Sequence, residues 1–327
     1  MSVNLQPNDI LRQRYKIVGL IGTGGMGAVY LAEDTRLTGR QCALKETQFA
    51  PTLTPEIIDA ARKQFYQEAS TLAQLDHPGL PKVSDYFSLE ERDYLVMDFV
   101  PGQNLQEVVS QAQREDRFLE EKIVLGWVEQ LCDTLTYLHT RQPAVLHRDI
   151  KPANIKLMPD GRLKLVDFGL AKPFDPDDPS TITGFQGLGS LPYAPLEQYL
   201  DHLGHTNARS DLYALGATIY HLLTNKVPIS AQERFLSPSA LPLPTQINSS
   251  VSAHVSEVIF KAMAPHPKDR PESVILWQQM LESGRNTEPI PSMQNKTPDW
   301  GTIARANWWL IALATGLLGA AAWLSFV

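Results

Sequence analysis

The chain has 327 residues, 43% of them apolar and 20% charged, which excludes a disordered or collagen-like polymer and supplies a core of ordinary size. Lys and Arg number 29 against 36 Asp and Glu, a net charge of −7, so nothing favours coating nucleic acid and no nucleic-acid partner is expected. The two cysteines, Cys42 and Cys132, fit no metal-type spacing and exclude a disulfide framework, which favours a reducing compartment. Met1 to Asp9 is polar, so no secretory signal is expected there.

The first elements read as strands. Tyr15–Ile21, Ala28–Asp34 and Gln41–Glu46 are short, apolar or alternating, and separated by glycine-rich or polar turns. Ile57, Ile58, Ala61, Phe65, Ala69 and Leu72 then recur at helical spacing. Strands are predicted at Lys82–Phe87 and Tyr94–Val100. Past Pro101-Gly102 the pattern turns helical, with a long amphipathic helix through Ile123, Trp127, Leu131, Leu135 and Leu138. Further helices are predicted at Asp211–Leu223, Ser252–Met263 and Glu272–Glu282. A small strand-rich lobe before a larger helical one implies a cleft between them, a usual place for a ligand. Ser283–Asn307 is rich in Pro, Asn, Thr and Gly and reads as a flexible linker. The last stretch, Trp308–Val327, carries no charge and no proline and is long enough to cross a bilayer as a helix, with Trp308, Trp309 and Trp323 near its ends. The alternative, a buried core helix, has to explain the lack of any polar face.

Gly22-Thr23-Gly24-Gly25-Met26-Gly27 matches G-x-G-x-x-G, a pattern shared by dinucleotide turns and by phosphate-covering hairpins. A dinucleotide turn must open a helix, whereas Ala28-Val29-Tyr30-Leu31-Ala32 favours a strand. A glycine hairpin with its backbone N–H groups over phosphates is therefore expected, against a plain turn as the bland alternative. Cys42-Ala43-Leu44-Lys45 ends the third strand on a lysine. It is either an ordinary solvated charge or an ammonium that reaches phosphates, and in the second case Glu68 on the following helix is its expected partner. Glu56 and Asp59 lie nearer the helix start, where the dipole favours acidic residues. In the second lobe, His147-Arg148-Asp149-Ile150-Lys151-Pro152-Ala153-Asn154 is followed, after Asp160-Gly161, by Asp167-Phe168-Gly169. Asp and Asn oxygens beside phosphate suit Mg²⁺, a hard cation that keeps several waters.

These ordered motifs resemble the bacterial eukaryotic-type, or Hanks-type, serine/threonine protein kinases over residues 11–282. The resemblance implies an α+β bilobal kinase fold, with a β-rich N-lobe carrying one helix (11–100) and a larger helical C-lobe (101–282). A 283–307 linker and a 308–327 transmembrane helix complete the expected domains. It implies that Gly22, Gly24 and Gly27 cover the phosphates of ATP, that Val29 and Ala43 pack on the adenine, and that Lys45 binds phosphate and pairs with Glu68. Asp149 would be the catalytic base, with Lys151 steadying the γ-phosphate and Asn154 and Asp167 holding Mg²⁺, or Mn²⁺ in its place. Met97 falls at the gatekeeper, with the backbone of Asp98 and Val100 at the adenine edge. Glu197 and Arg270 match a structural ion pair, Asp211 the carboxylate that holds the catalytic loop, and Leu72, Val83, His147 and Phe168 an apolar spine. Three departures are visible: the A-P-E motif reads Ala194-Pro195-Leu196-Glu197, Ser190 stands where such kinases usually have threonine and keeps the hydroxyl, and Lys156 stands where an apolar residue usually lies under the adenine.

The implied activity is ATP-dependent phosphorylation of Ser or Thr on protein substrates. A pseudokinase or a small-molecule kinase is the alternative, but the Lys, Asp and Asn groups are all present and the activation segment is long. Arg148 before the base suggests an activation-loop phosphate, with Thr181 and Thr183 the first candidates, then Ser180, and Lys172 as a second cation. The body would lie in the cytoplasm, tethered to the membrane by the terminal helix. There Ala312, Gly316 and Ala320 share one face that suits a homodimer.

Overall fold

Strand alternation in the first hundred residues builds a six-stranded antiparallel sheet in the order β1-β2-β3-β4-β6-β5. Its strands are β1 (Ile10–Leu11), β2 (Tyr15–Gly24), β3 (Gly27–Asp34), β4 (Gln41–Gln48), β5 (Val83–Leu89) and β6 (Arg92–Asp98). The connection from β4 to β5 carries helix α1 (Pro55–Ala73). The computed structural model describes residues 5–24, 27–48, 54–90, 92–167, 188–198 and 206–285. The chain divides into a unit of Met1–Gly284 and a second of Arg285–Val327, and nearly all of the second lies outside the described residues.

The register separates the two faces of the sheet. Tyr30 pairs with Leu44 and Leu44 with Val96, and these residues join Tyr15, Ile17, Ala32, Cys42, Phe87 and Tyr94 in one buried cluster. Tyr15 and Phe87 stack with centroids 5.8 Å apart. Arg14 grips Asp34 with two hydrogen bonds of 2.7 and 2.9 Å, which ties the start of β2 to the end of β3. On the opposite face, Val29 pairs with Lys45, Leu31 with Ala43, and Ala43 with Met97. Directly paired residues point the same way, so this second set roofs the cleft.

The large lobe begins with β7 (Gln103–Asn104) and α2 (Leu105–Arg114), then α3 (Glu121–His139), β8 (Ile155–Leu157) and β9 (Leu163–Leu165). It continues with α4 (Ala208–Thr224), α5 (Ala231–Leu236), α6 (Pro244–Ile247), α7 (Ala253–Ala262) and α8 (Val274–Arg285). Every residue of α4 from Ser210 to Thr224 is buried, so the other helices are arranged around it. At Gly216 a Cβ would come within 2.9 Å of the Met263 side chain and 3.0 Å of Ala262, which explains a residue without one where α7 crosses. β7, β8 and β9 form a small antiparallel sheet under the cleft.

The predicted strands and long helices are all present, with boundaries shifted by a few residues. The turn expected at Asp160-Gly161 joins β8 to β9, whereas β1, β7 and helices α2, α5 and α6 were not foreseen as elements, and α8 runs to Arg285, three residues into the stretch read as linker. The rest of that linker and the 308–327 span lie outside the described residues. Among the described residues, no helix is long and apolar enough to cross a membrane.

A buried ion pair closes the large lobe. Arg270 reaches the Glu197 carboxylate at 2.6 and 3.1 Å, and both side chains are fully buried. Ser210 also donates to Glu197 at 2.7 Å, and the remaining Arg270 donors reach the carbonyls of Ala264, Pro265 and Arg209. Nearly every donor and acceptor is therefore used, the condition under which a buried pair is tolerated. Removing one partner strands the other charge. Arg270→Met is expected to lower the unfolding free energy by about 3–5 kcal/mol, read as a fall in the urea midpoint.

Candidate active site

The roof of the cleft ends in the β2–β3 hairpin. Gly22 pairs with Val29 and Gly24 with Gly27, so the glycine run leads into a strand and not a helix, which removes the dinucleotide alternative. Gly27 has φ of +149°, and a Cβ there would collide with the Glu46 carbonyl of β4. Gly25 and Met26 at the tip lie outside the described residues. Met97, Leu72, Val83 and Leu95 line the inner end of the cleft together with Lys45 and Asp167. Beyond Met97, Asp98 turns its carboxylate to Arg40 at 3.3 Å and to the Lys82 backbone N–H at 3.3 Å, and Val100 is buried.

The floor is the loop from His147 to Asn154. Asp211 at the start of α4 accepts from the backbone N–H of His147 at 2.9 Å and of Arg148 at 2.8 Å. Its Oδ2 also meets His139 Nε2 at 2.8 Å. Burial works to raise the Asp211 carboxyl, but the His139 hydrogen bond and nearby imidazoles override it and hold the group below the usual carboxylate range. The loop leaves Arg148 at φ of +64°, a conformation that costs a non-glycine residue energy and that Asp211 helps to enforce. It then presents Asp149, whose carboxylate meets Lys151 Nζ at 2.8 and 3.0 Å. Asn154 Nδ2 donates to both the backbone O and Oδ2 of Asp149, each at 2.8 Å. That leaves the Asn154 amide oxygen as an acceptor. Val166 N–H bonds to Asn154 O at 2.8 Å, which sets Asp167, itself at φ of +55°, beside this loop.

Lys45 crosses from roof to floor and reaches Asp167 Oδ1 at 3.0 Å. Burial tends to raise the Asp167 carboxyl, yet the Lys45 ammonium holds it below its ordinary value. This differs from the expected Lys45–Glu68 pair. Glu68 is buried on α1, and its charge acts on Arg148, whose guanidinium is pushed down by burial and supported by Asp211 and Glu68. The structure therefore brings Lys45, Met97, Asp149, Lys151, Asn154 and Asp167 together, and pairs Lys45 with a different carboxylate.

The 188–198 segment packs onto the large lobe. Gln198 donates to the Arg148 carbonyl at 3.1 Å, and Tyr193 OH pairs with His221 Nδ1 at 2.8 Å in a buried contact. Neither His139 nor His221 was read from the sequence as part of the site, since each acts through a partner tens of residues away. Phe168, Lys172, Ser180, Thr181 and Thr183 lie outside the described residues.

Comparison with known proteins agrees with this geometry. The protein kinase domain family matches residues 15–283. Serine/threonine-protein kinase C of Synechocystis sp. is 34% identical over 87% of this chain and 52% of its own length. Serine/threonine-protein kinase PrkC of Bacillus subtilis is 34% identical over 80% of this chain and 39% of its own. The solved PpkA-294 apo form superposes with a TM-score of 0.68 at 27% identity, covering 85% of this chain and 99% of that one. The Mycobacterium tuberculosis PknI kinase domain does so with 0.63 at 27% identity, covering 86% and 99%. This chain belongs to the protein kinase domain family and carries a domain of the bacterial Hanks type. It spans about half or less of the length of these curated relatives.

The Tyr193–His221 contact carries a pH signature. Burial pushes the His221 imidazole down to about 4 from an ordinary 6.5. The unfolded chain therefore takes up a proton below pH 6.5 while the folded one does not until about pH 4. This stabilisation is present above pH 6.5 and is lost as pH falls toward 4. Unfolding free energies measured by urea at pH 7 and 4.5 are expected to converge in His221→Gln, with this histidine accounting for up to about 3 kcal/mol of the wild-type difference.

Proposed function

We propose that this chain is an ATP-dependent protein kinase that phosphorylates Ser or Thr of protein substrates. The observation that carries this reading is the convergence of Lys45, Asp149, Lys151, Asn154 and Asp167 on one cleft beneath a glycine hairpin. In the reaction, a substrate hydroxyl oxygen bonds to the γ-phosphorus of ATP as the bond to the ADP oxygen breaks. Asp149 accepts the hydroxyl proton, and Asn154 and Lys151 hold its carboxylate in place. Lys151, next to the base, is placed to offset charge on the transferred group, and Lys45 to meet phosphate oxygens under the hairpin.

Asn154 and Asp167 fit a hard divalent cation, Mg²⁺ or Mn²⁺, because both offer oxygen atoms and they sit on adjoining segments. Among the described residues there is no cluster of three or more metal-ligating His, Cys, Asp or Glu side chains, so the other ligands would come from phosphate and water. A bound cation would neutralise phosphate charge during transfer.

The activation segment is the reading's regulatory part. Autophosphorylation at Thr181 or Thr183 would supply an anion for Arg148, and Gln198 already ties the end of the segment to the Arg148 carbonyl. Residues 308–327 would anchor the chain in a membrane with the folded body in the cytoplasm, Lys296 and Arg305 lying on that side. Pairing of two such spans through Ala312, Gly316 and Ala320 would raise the local concentration of one body near another.

With γ-labelled ATP, Mg²⁺ and a protein acceptor, Lys45→Ala, Asp149→Asn and Asp167→Asn are each expected to lose about a thousandfold or more of label transfer while melting near the wild-type temperature. Wild-type turnover in Asp149→Asn would refute the assignment of the base. Deleting residues 308–327 is expected to move the protein from the membrane pellet to the supernatant with its activity kept.

A further inference from the structure

Lys156 occupies the middle of β8, in the floor of the cleft. It pairs with Asn104 of β7 on one side and with Lys164 of β9 on the other. Ile155, Leu163 and Leu165 of the same small sheet are buried in the large-lobe core, and Leu157 packs against it. Side chains alternate along a strand, so Lys156 and Lys164 stand on the face turned away from that core. Lys164 shows where this face looks: its Nζ donates to the Leu80 carbonyl at 2.7 Å, and Leu80 lines the inner cleft with Met97, Lys45 and Asp167. Lys156 therefore shares the face of the small sheet from which Lys164 reaches the cleft lining at Leu80.

Its charge is not compensated as its neighbours' charges are. Lys45 has Asp167 and Lys151 has Asp149, each within 3.0 Å. The Lys156 side chain has no ion-pair or hydrogen-bond partner among the described residues, and the residue directly across the ladder is another lysine. Like charges in that register repel, and Lys164 is supported by the Leu80 carbonyl and the charges of Asp98 and Asp160, whereas Lys156 has no such partner among the described residues. A lysine at a half-buried position here must therefore be judged by what enters the cleft.

We propose that Lys156 makes the cleft select polyphosphate nucleotides over neutral nucleosides, an inference that rests on the nucleotide reading above. The two parts of the side chain act differently. The methylene stem gives a base an apolar surface opposite Val29 and Ala43. The ammonium loses hydration when a ring covers it, which weakens binding of any neutral ligand. A ligand carrying phosphates toward Asn154, two residues back along the chain from Lys156, and toward Asp167 beside it recovers that loss by Coulomb attraction. Across about 10 Å at a protein-like dielectric the attraction amounts to about tenfold per charge before screening, and a few-fold in salt.

The test uses the full chain in a non-ionic detergent. Dissociation constants for ADP and for adenosine are measured by calorimetry without divalent cation, at low and high salt. The proteins are wild type, Lys156→Met, which keeps an apolar stem, and Lys156→Arg, which keeps the charge. The adenosine-to-ADP ratio of dissociation constants is expected to fall about fivefold in Lys156→Met through tighter adenosine and weaker ADP binding. The drop should shrink at high salt, and Lys156→Arg should retain the wild-type ratio. Equal ratios in wild type and Lys156→Met, or Lys156→Arg behaving as Lys156→Met, would overturn the role of Lys156 while leaving the nucleotide site standing. A wild type that binds neither ligand would overturn the nucleotide reading and this inference with it.

Discussion

The arrangement of the cleft depends on one buried carboxylate. Asp211 sits on α4, which is buried from Ser210 to Thr224 and packs against α2, α3, α6 and α7, and its side chain is fully enclosed. An isolated carboxylate in that place would be expensive, so its position is tolerated only because donors converge on it. Two of them are consecutive backbone N–H groups, His147 and Arg148, and the third is His139 at the end of α3. Two successive amides pointing at one carboxylate fix the local direction of the chain. Asp149 is thereby aimed out of the core, and Asn154 folds back to hold it from the other side. The hydrogen-bonding needs of a buried charge thus become the geometry of a reactive one.

The two lobes meet through a different kind of contact. The segment between α1 and β5 belongs to the small lobe by sequence but is fastened to the large one. Asp76 N–H bonds to Tyr137 OH at 2.7 Å, His77 meets Asp133 at 3.2 Å, and the carbonyls of Gly79 and Leu80 accept from Leu165 N–H and Lys164 Nζ. Gly79 lies so close to Thr134 that no Cβ fits there without displacement. The back of the cleft is therefore stitched by short-range contacts to α3 and β9, while the glycine hairpin at the front is held by its own sheet. Between them, Lys45–Asp167 is a partly exposed ion pair, with side chains 28% and 42% exposed, and such pairs contribute little to stability.

Much of this was legible in the sequence because it rests on local chemistry. The strand-forming run Ala28–Ala32 after the glycines distinguished a hairpin from a dinucleotide turn, and Gly24 facing Gly27 across the ladder agrees. The periodicity of Phe65, Ala69 and Leu72 marked α1, and all three are buried. Helix α2 was missed although its signal was present: Asn104 and Glu107 form a reciprocal capping box just before an apolar run. β7 escaped because a strand of two residues is too short to show a period, while the turn at Asp160-Gly161 marked the β8–β9 hairpin. The partner of Lys45 was misassigned for a deeper reason. Local pattern placed Glu68 on the right helix, but which carboxylate an ammonium reaches is set by how lobes far apart in sequence come together, and Asp167 lies 122 residues away.

The charges of the cleft follow one logic. Asp149 is matched by Lys151 and Asp167 by Lys45, so the catalytic floor is close to neutral despite holding four ionised groups. A neutral arrangement avoids the cost of burying unpaired charge, and it also keeps each group near the place where it would act. On the reading proposed above, binding a polyanion would exchange partners and not create new charge: Lys45 and Lys151 would turn toward phosphate, and the carboxylates they leave would become available to a cation and to a hydroxyl proton. Exchange of this kind needs small side-chain rotations, since the backbone around Asp149 is already pinned by Asp211 and Asn154. Lys156 is the exception, a cation without a carboxylate in this balanced set. A charge kept unmatched beside matched pairs is the one that distinguishes an anionic visitor from a neutral one.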